Sequence, residues 1–383
     1  MTTMKMFLGS FGVCLALGTL AADPTISDVV ARQRWPWSQL VDIDYVLTCD
    51  ATQSVDVVLT AKDGSTTLTL PAESLSGDLY GVSHGMRRIV FDPIKTVYTN
   101  SKMLTQFSVT LIPTLAPMYM VIDLSGGTSA TSYPVSNYVV EADVPGGVTN
   151  DLYKTTSLLL RRIPANTFLM GESVPPTRSV TLTKPFYAGV YEVTQKQWQQ
   201  VMGDVRSWPA YWNNMECRDT RPVEAVSYYR IRENLNNADD PAVGWPANSA
   251  VNTNSFMGRI RAKTRIDGLD LPTEAQWECL CRAGTATYYN DGFSGTPYST
   301  SNAQMNVLGR YMCNGGKCWS ASLSQWVAPG QDTTTTGATA KVGSYLPNAW
   351  GLYDTLGNVN EWCLDWYTNN LGTEAVSDPV GAK

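Results

Sequence analysis

Histidine is all but missing from this chain, which holds one, His84, in 383 residues. That excludes a multi-histidine zinc or non-haem iron site. It also excludes a Ser-His-Asp or Cys-His arrangement in the C-terminal part of the chain. His84 itself reads as a surface loop residue. Charge is sparse as well: Asp, Glu, Lys and Arg make up 16% of the residues, and the formal net charge is −6. With no Lys/Arg cluster, nucleic acid is not an expected partner. No phosphate-cradling loop is recognisable, because Asn314-Gly315-Gly316 lacks the strand-to-helix context such a loop needs. Past the N-terminus, no apolar run is long enough to span a membrane. No pair of carboxylates can be placed across a cleft from sequence, so a glycosidase reading has no support.

Apolar and aromatic residues are plentiful. Hydrophobic residues reach 43%, with 12 Trp and 19 Tyr, which suits a globular, loop-rich fold or a binding surface. The length suggests two domains. Residues 1–22 read as a signal peptide: Lys5 precedes an apolar run, Met6 to Leu20, and Leu20-Ala21-Ala22 offers a small-residue cleavage site before Asp23. Gly12-Val13-Cys14 is a poor lipoprotein match. The mature protein is expected to be periplasmic, cell-surface or secreted, where disulfides form. Seven cysteines follow the signal (Cys49, Cys217, Cys279, Cys281, Cys313, Cys318 and Cys363), and an odd number leaves one unpaired.

Residues 23–147 read as a small Ig-like β-sandwich. Runs at Asp56–Thr60 and Thr67–Leu70 flank Lys62-Asp63-Gly64-Ser65, whose Asp-Gly pair accepts the positive φ of a hairpin turn. Further short runs lie at Arg88–Phe91, Phe107–Leu111 and Tyr119–Ile122. Pro145-Gly146-Gly147 marks the boundary, and residues 150–383 form the second domain. Strands are expected there at Leu158–Leu160 and Val180–Leu182. Thr194-Gln195-Lys196-Gln197 and Thr273-Glu274-Ala275-Gln276 are capping boxes, closed by Gly203 and Gly284. Trp198, Val201 and Met202 follow the first at helical spacing. Trp277, Leu280 and Cys281 form the expected buried stripe of the second. A shorter helix starts near Ser227. Beyond residue 284 long loops predominate.

Cys313 and Cys318 can close a small disulfide loop or hold a soft metal such as Cu(I), the disulfide being the plainer reading outside the cytoplasm. Cys279 and Cys281, two apart on a helix, point to different faces. Gly357-Asn358-Val359-Asn360-Glu361 gathers oxygen donors on a short turn. The side chains of Asn358 and Glu361, with the carbonyls of Gly357 and Val359, can converge on a hard cation such as calcium. The same residues read equally well as a hydrogen-bonded turn packed against Trp362 and Trp366.

Five segments in order carry a resemblance. They are Ile163–Gly171 (IPANTFLMG), Phe186–Trp198 (FYAGVYEVTQKQW), Arg221–Ser227 (RPVEAVS), Leu271–Thr285 (LPTEAQWECLCRAGT) and Val342–Tyr367 (VGSYLPNAWGLYDTLGNVNEWCLDWY). Together they resemble the sulfatase-modifying factor, or formylglycine-generating enzyme, family. The resemblance covers the second domain only. It implies an α+β, C-type-lectin-like domain with little regular secondary structure and structural calcium. It favours Asn358, Glu361, Gly357 and Val359 as ligands, and leaves a second calcium loop within Asn306–Thr336 unassigned. The implied activity is oxidation of a cysteine in a sulfatase-type protein substrate to formylglycine, using O₂ and copper on two cysteines.

That pair follows a strand reading roughly RGGSW in the family, and the chain ends at Asp378–Lys383, where this strand would begin. The resemblance therefore implies no catalytic residues, no copper ligands and a C-terminally incomplete domain that folds poorly alone. It also implies that the partner of Cys281 lies in the missing part. The alternative is a non-catalytic, lectin-like binding module for a peptide or glycan. A third family branch, which makes sulfoxides with histidine-held iron, conflicts with the lack of histidine.

Overall fold

The computed structural model describes residues 22–34, 36, 38–51, 53–71, 74–98, 106–171, 177–204, 218–233, 250–292, 303–311, 314, 318–320, 325–327, 339–367 and 372–381. Apart from Ala22, the expected signal segment lies outside them, as do Cys217 and Cys313 and most of the Asn306–Thr336 loop. The chain divides into two units, one ending at Leu115 and one beginning at Ala116.

Alternation builds the first unit. In Val41-Asp42-Ile43-Asp44-Tyr45-Val46-Leu47, Ile43, Tyr45 and Leu47 are buried while Asp42 and Asp44 face the other way. The strands are β1 (Thr25–Gln33), β2 (Val41–Thr48), β3 (Val55–Asp63), β4 (Thr66–Thr67), β5 (Leu75–Gly77), β6 (Gly85–Phe91) and β7 (Phe107–Leu115). They form two antiparallel sheets, ordered β1-β2-β6-β5 and β4-β3-β7. One core cluster joins them, with Ile43 and Leu47 from β2, Val55 and Val57 from β3, Ile89 and Phe91 from β6, and Leu111 from β7. The Asp-Gly hairpin forms between β3 and β4, with Gly64 at φ 61°. Strand β4 stops at Thr67, short of the expected Leu70. His84 lies exposed in a loop.

The second unit claims more of the chain than the Pro-Gly-Gly signal suggests. Strand β8 (Tyr119–Asp123) pairs with β10 (Ser157–Ile163), and β9 (Val135–Tyr138) pairs with β8. Residues 116–147 are thereby drawn into this unit. Val144 joins its core, and the Tyr153 hydroxyl donates to the Pro145 carbonyl at 2.7 Å. Strands β11 (Asn166–Met170), β12 (Arg178–Leu182) and β13 (Phe186–Gly189) follow. One sheet runs β13-β10-β8-β9.

Helix α1 (Gln195–Met202) begins at the Thr194/Gln197 capping box and ends at Gly203, φ 85°. Gln197 is buried: its Oε1 accepts from Thr194 N–H at 2.9 Å, and its Nε2 donates to the Tyr153 and Ser157 carbonyls at 2.9 and 2.7 Å. Helix α2 (Tyr228–Ile231) is capped by Ser227. Helix α3 (Phe256–Thr264), capped by Ser255, was not expected. Arg232, just after α2, holds Asp270 with Nε and Nη2 at 2.9 and 3.1 Å, and Arg261 of α3 reaches the same carboxylate at 2.9 Å.

Helix α4 (Glu274–Arg282) has the second capping box. Its buried stripe is Ala275, Cys279 and Leu280, rotated from the expected Trp277, Leu280 and Cys281. The cause is the neighbour: Ala275 and Cys279 pack on Met170, Val180 and Leu182 of the β11–β12 layer, while the Trp277 indole turns to a carboxylate. Helix α5 (Met305–Leu308) and the hairpin β14 (Cys318–Ser320) with β15 (Gln325–Val327) follow. Strand β16 (Val376–Ser377) then pairs parallel to β12, giving the order β11-β12-β16. The protein is thus mixed α+β, with few helices and several antiparallel sheets, preceded by an all-β region.

Candidate functional site

The turn at residues 351–361 is fixed from below by Asn348. Its Oδ1 accepts from the Trp350 and Leu352 amides at 3.0 and 3.2 Å, and its Nδ2 donates to the Leu280 carbonyl at 2.8 Å. Leu352 is thereby sunk into a cluster with Ile163 and Leu280, and Tyr353 N–H reaches Val190 O at 3.0 Å. The next residue, Asp354, has φ 56° and is 4% exposed. Its Oδ2 accepts from Gly343 N–H at 2.6 Å, while Oδ1 has no partner. A buried carboxylate oxygen without a donor is costly unless something positive meets it.

Gly357 comes next, at φ 91°. A Cβ there would lie 2.0 Å from the Arg310 carbonyl oxygen, so only glycine lets the turn lie against that backbone. Asn358 is spent on scaffolding. Its amide donates to Arg310 O at 2.7 Å, its Nδ2 to Glu192 at 2.6 Å, and its Oδ1 accepts from Ala340 N–H at 2.9 Å. Val359 N–H points to the other Glu192 oxygen at 3.4 Å. Glu361 accepts the Trp277 indole N–H at 2.5 Å.

Three carboxyls therefore share one region. Burial raises the pKa of Glu192, and the charges of Asp354 and Glu361 raise it further. Burial pushes Asp354 up to about 6, against the opposing effects of the Gly343 amide and Lys154. Desolvation raises Glu361, the Trp277 indole N–H opposes it, and the charge of Asp354 adds to the rise. Carboxyls raised by burial, two of them also by a neighbour's charge, mark a place where a cation would lower the energy of all three.

Among the described residues no three His, Cys, Asp or Glu side chains come close enough to hold a metal by themselves. A cation here would need backbone oxygens too, which is how calcium is commonly bound. The orphaned Asp354 Oδ1 is the observation that fits such an ion. The sequence reading passed over Asp354; its signal was an acid three residues before a glycine that cannot be replaced.

The thiols differ in character. Cys279 and Cys281 are free, as are Cys49 and Cys363. Burial raises the Cys279 thiol, pushes Cys281 up to about 11 and pushes Cys363 up to about 12, the last helped by Asp365 and Glu274. Cys281 donates to the Thr355 carbonyl at 3.1 Å. Cys279 accepts from the Asn166 amide at 3.8 Å, so the two thiols of α4 are engaged on separate partners.

The cavity beside Glu361 has a volume of about 770 Å³. The β8–β10–β13 face supplies one wall through Ile122, Leu160 and Ala188, and helices α3 and α4 supply another through Ile260 and Trp277. Trp362 meets Tyr228 edge-on at 6.0 Å and donates to Val226 O, while Trp366 and Tyr367 are largely exposed.

Residues 151–380 match the model of the sulfatase-modifying factor enzyme 1-like domain. Among curated relatives, the chaperone protein LppX of Paenibacillus barcinonensis is 32% identical over 218 residues, covering 54% of this chain and 71% of that protein. The formylglycine-generating enzyme of Mus musculus is 26% identical over 285 residues, covering 67% of this chain and 70% of the relative. That of Streptomyces coelicolor is 37% identical over 123 residues, 31% of this chain and 34% of the relative. With the match spanning more than half its length, this chain belongs to the sulfatase-modifying factor, or formylglycine-generating enzyme, family.

Proposed function

We propose that this chain is an exported, calcium-braced member of its family that binds a polypeptide of the sulfatase type outside the cytoplasm. The family match over residues 151–380 carries the reading. Oxidation of a substrate cysteine to formylglycine is the activity that the names of its relatives point to. Calcium would be held by the Asp354 and Glu361 carboxylates with the Gly357 and Val359 carbonyls. Asn358 would support the turn through Glu192 and Ala340, leaving the second lone pair of its oxygen for the ion.

A second reading, a non-catalytic module for a peptide or glycan, is favoured by one observation: among the described residues, no cysteine lines the cavity beside Glu361. One experiment separates the two. The full chain is incubated with a cysteine-bearing peptide, copper and O₂, with and without calcium. Aldehyde formation is followed by hydrazide trapping and mass spectrometry, and binding of the peptide and of a panel of glycans by calorimetry. Aldehyde supports the oxidase, and calcium-dependent binding without aldehyde supports the module. Binding to neither peptide nor glycan would sink both.

A further inference from the structure

One short stretch displays three large rings. Trp362, Trp366 and Tyr367 are 50%, 68% and 80% exposed. The backbone between them is pinned. Leu364 is buried, its N–H donates to the Pro272 carbonyl at 2.8 Å, and its own carbonyl accepts the Tyr228 hydroxyl at 2.9 Å. Asp365 accepts the Glu274 amide at 2.7 Å, at the first turn of α4. The Trp362 ring is oriented by its indole N–H, which donates to Val226 O at 3.1 Å, and by the edge-on contact with Tyr228. A segment anchored in this way holds its rings out in water, and exposed apolar groups gathered in one place mark an interaction site.

The surrounding chemistry narrows the partner. From Val342 to Ala382 the chain has no Lys or Arg but five acids: Asp354, Glu361, Asp365, Glu374 and Asp378. An anionic partner, such as an acidic membrane surface or a sulfated glycan, would be repelled. Asn360 and Glu361, next to Trp362, are exposed. Glu361 already accepts the Trp277 indole N–H, and Asp365 the Glu274 amide. What these carboxylates still offer is spare lone pairs, which suit O–H donors. A basic peptide would gain little from exposed ion pairs. Peptide anchors fill pockets on their partner, whereas these rings stand exposed.

We infer that Trp366 and Tyr367, with Trp362 beside them, form a platform for a neutral oligosaccharide, whose pyranose rings lay their C–H faces on the aromatic rings and donate hydroxyls to Glu361 and Asp365. The inference rests on the binding-module reading above and gives it a surface and a ligand class. Trp and Tyr supply large, rigid, amphipathic contact area at low entropic cost, and the pinned backbone leaves little to order on binding. Equatorial hydroxyls keep the sugar faces flat, so glucose-type and N-acetylglucosamine-type chains fit best.

The test titrates the full chain with cellopentaose, chitopentaose and mannopentaose, read by calorimetry and tryptophan emission. The first or second should bind more tightly than the third. Trp366→Ala and Tyr367→Ala should each weaken binding about tenfold, and Trp366→Phe should retain most of it. Both side chains are largely exposed, so the urea midpoint should not move. Saccharide binding that survives the Trp366→Ala/Tyr367→Ala double variant would overturn the platform and leave the binding-module reading standing. A chain that binds peptide but none of the three saccharides would overturn the inference and leave the polypeptide reading standing. Self-association in sedimentation that the same double variant abolishes would assign the rings to a second copy of this chain and overturn the inference.

Discussion

The two capping boxes use the same four-residue grammar, yet replacing their glutamines should have unequal effects. Gln197→Leu keeps the volume and helix propensity of the side chain but strands three buried groups: the Thr194 N–H and the Tyr153 and Ser157 carbonyls. An orphaned buried polar group costs roughly 1–3 kcal/mol, with carbonyls toward the low end because each has two lone pairs. The sum is about 3–6 kcal/mol. Gln276→Leu strands only one group, the Thr273 N–H, and should cost about 1–2 kcal/mol. Urea titration of the full chain, read by hydrogen exchange in α1 and α4, measures both. Equal losses would refute the argument that Gln197 stitches the helix to β10 and to the segment before it.

Three other outcomes are expected. Calcium should stabilise the second unit by about 2–3 kcal/mol at about a hundred times Kd, and Asp354→Asn should remove that increment; a melting temperature unmoved by calcium or chelator would count against the ion. Gly357→Ala should cost about 2–4 kcal/mol from its left-handed φ and its overlap with Arg310 O, as read by denaturant midpoint. Cys281 and Cys363, pushed up to about 11 and about 12 from a reference of 9.0, should alkylate at pH 8 roughly two and roughly three orders of magnitude more slowly, respectively, than in unfolded chain. Iodoacetamide kinetics followed by peptide mapping would reveal any faster reaction.

Local grammar was legible where the deciding partners are close in sequence. Both capping boxes, the Ser227 helix start and the Asp63-Gly64 hairpin form as their residues dictate. Choices made by distant partners were not legible. Tyr119–Ile122 was assigned to the first domain because its alternation fits any sheet; its partner in β10 decides where it belongs. Helix α3 escaped notice because Phe256-Met257-Gly258 holds a glycine at its start, which is required there because the Asn252 carbonyl lies against it. At the site, the oxygen-rich turn Gly357–Glu361 was found, but Asp354 was not. The backbone donor that meets Asp354, the Gly343 N–H, reaches it only through the fold.

The β12–β16 pair is short but joins residues almost two hundred positions apart, and Asp378 adds a hydrogen bond to the Thr183 amide at 2.9 Å. A growing chain makes β12 long before β16 leaves the ribosome. Until then the Val180–Leu182 edge stays open, and closing so long a loop is slow. Maturation of this unit is therefore tied to the order of synthesis: a chaperone or the translocation channel that shields Arg178–Leu182 during that interval would set the yield of folded protein.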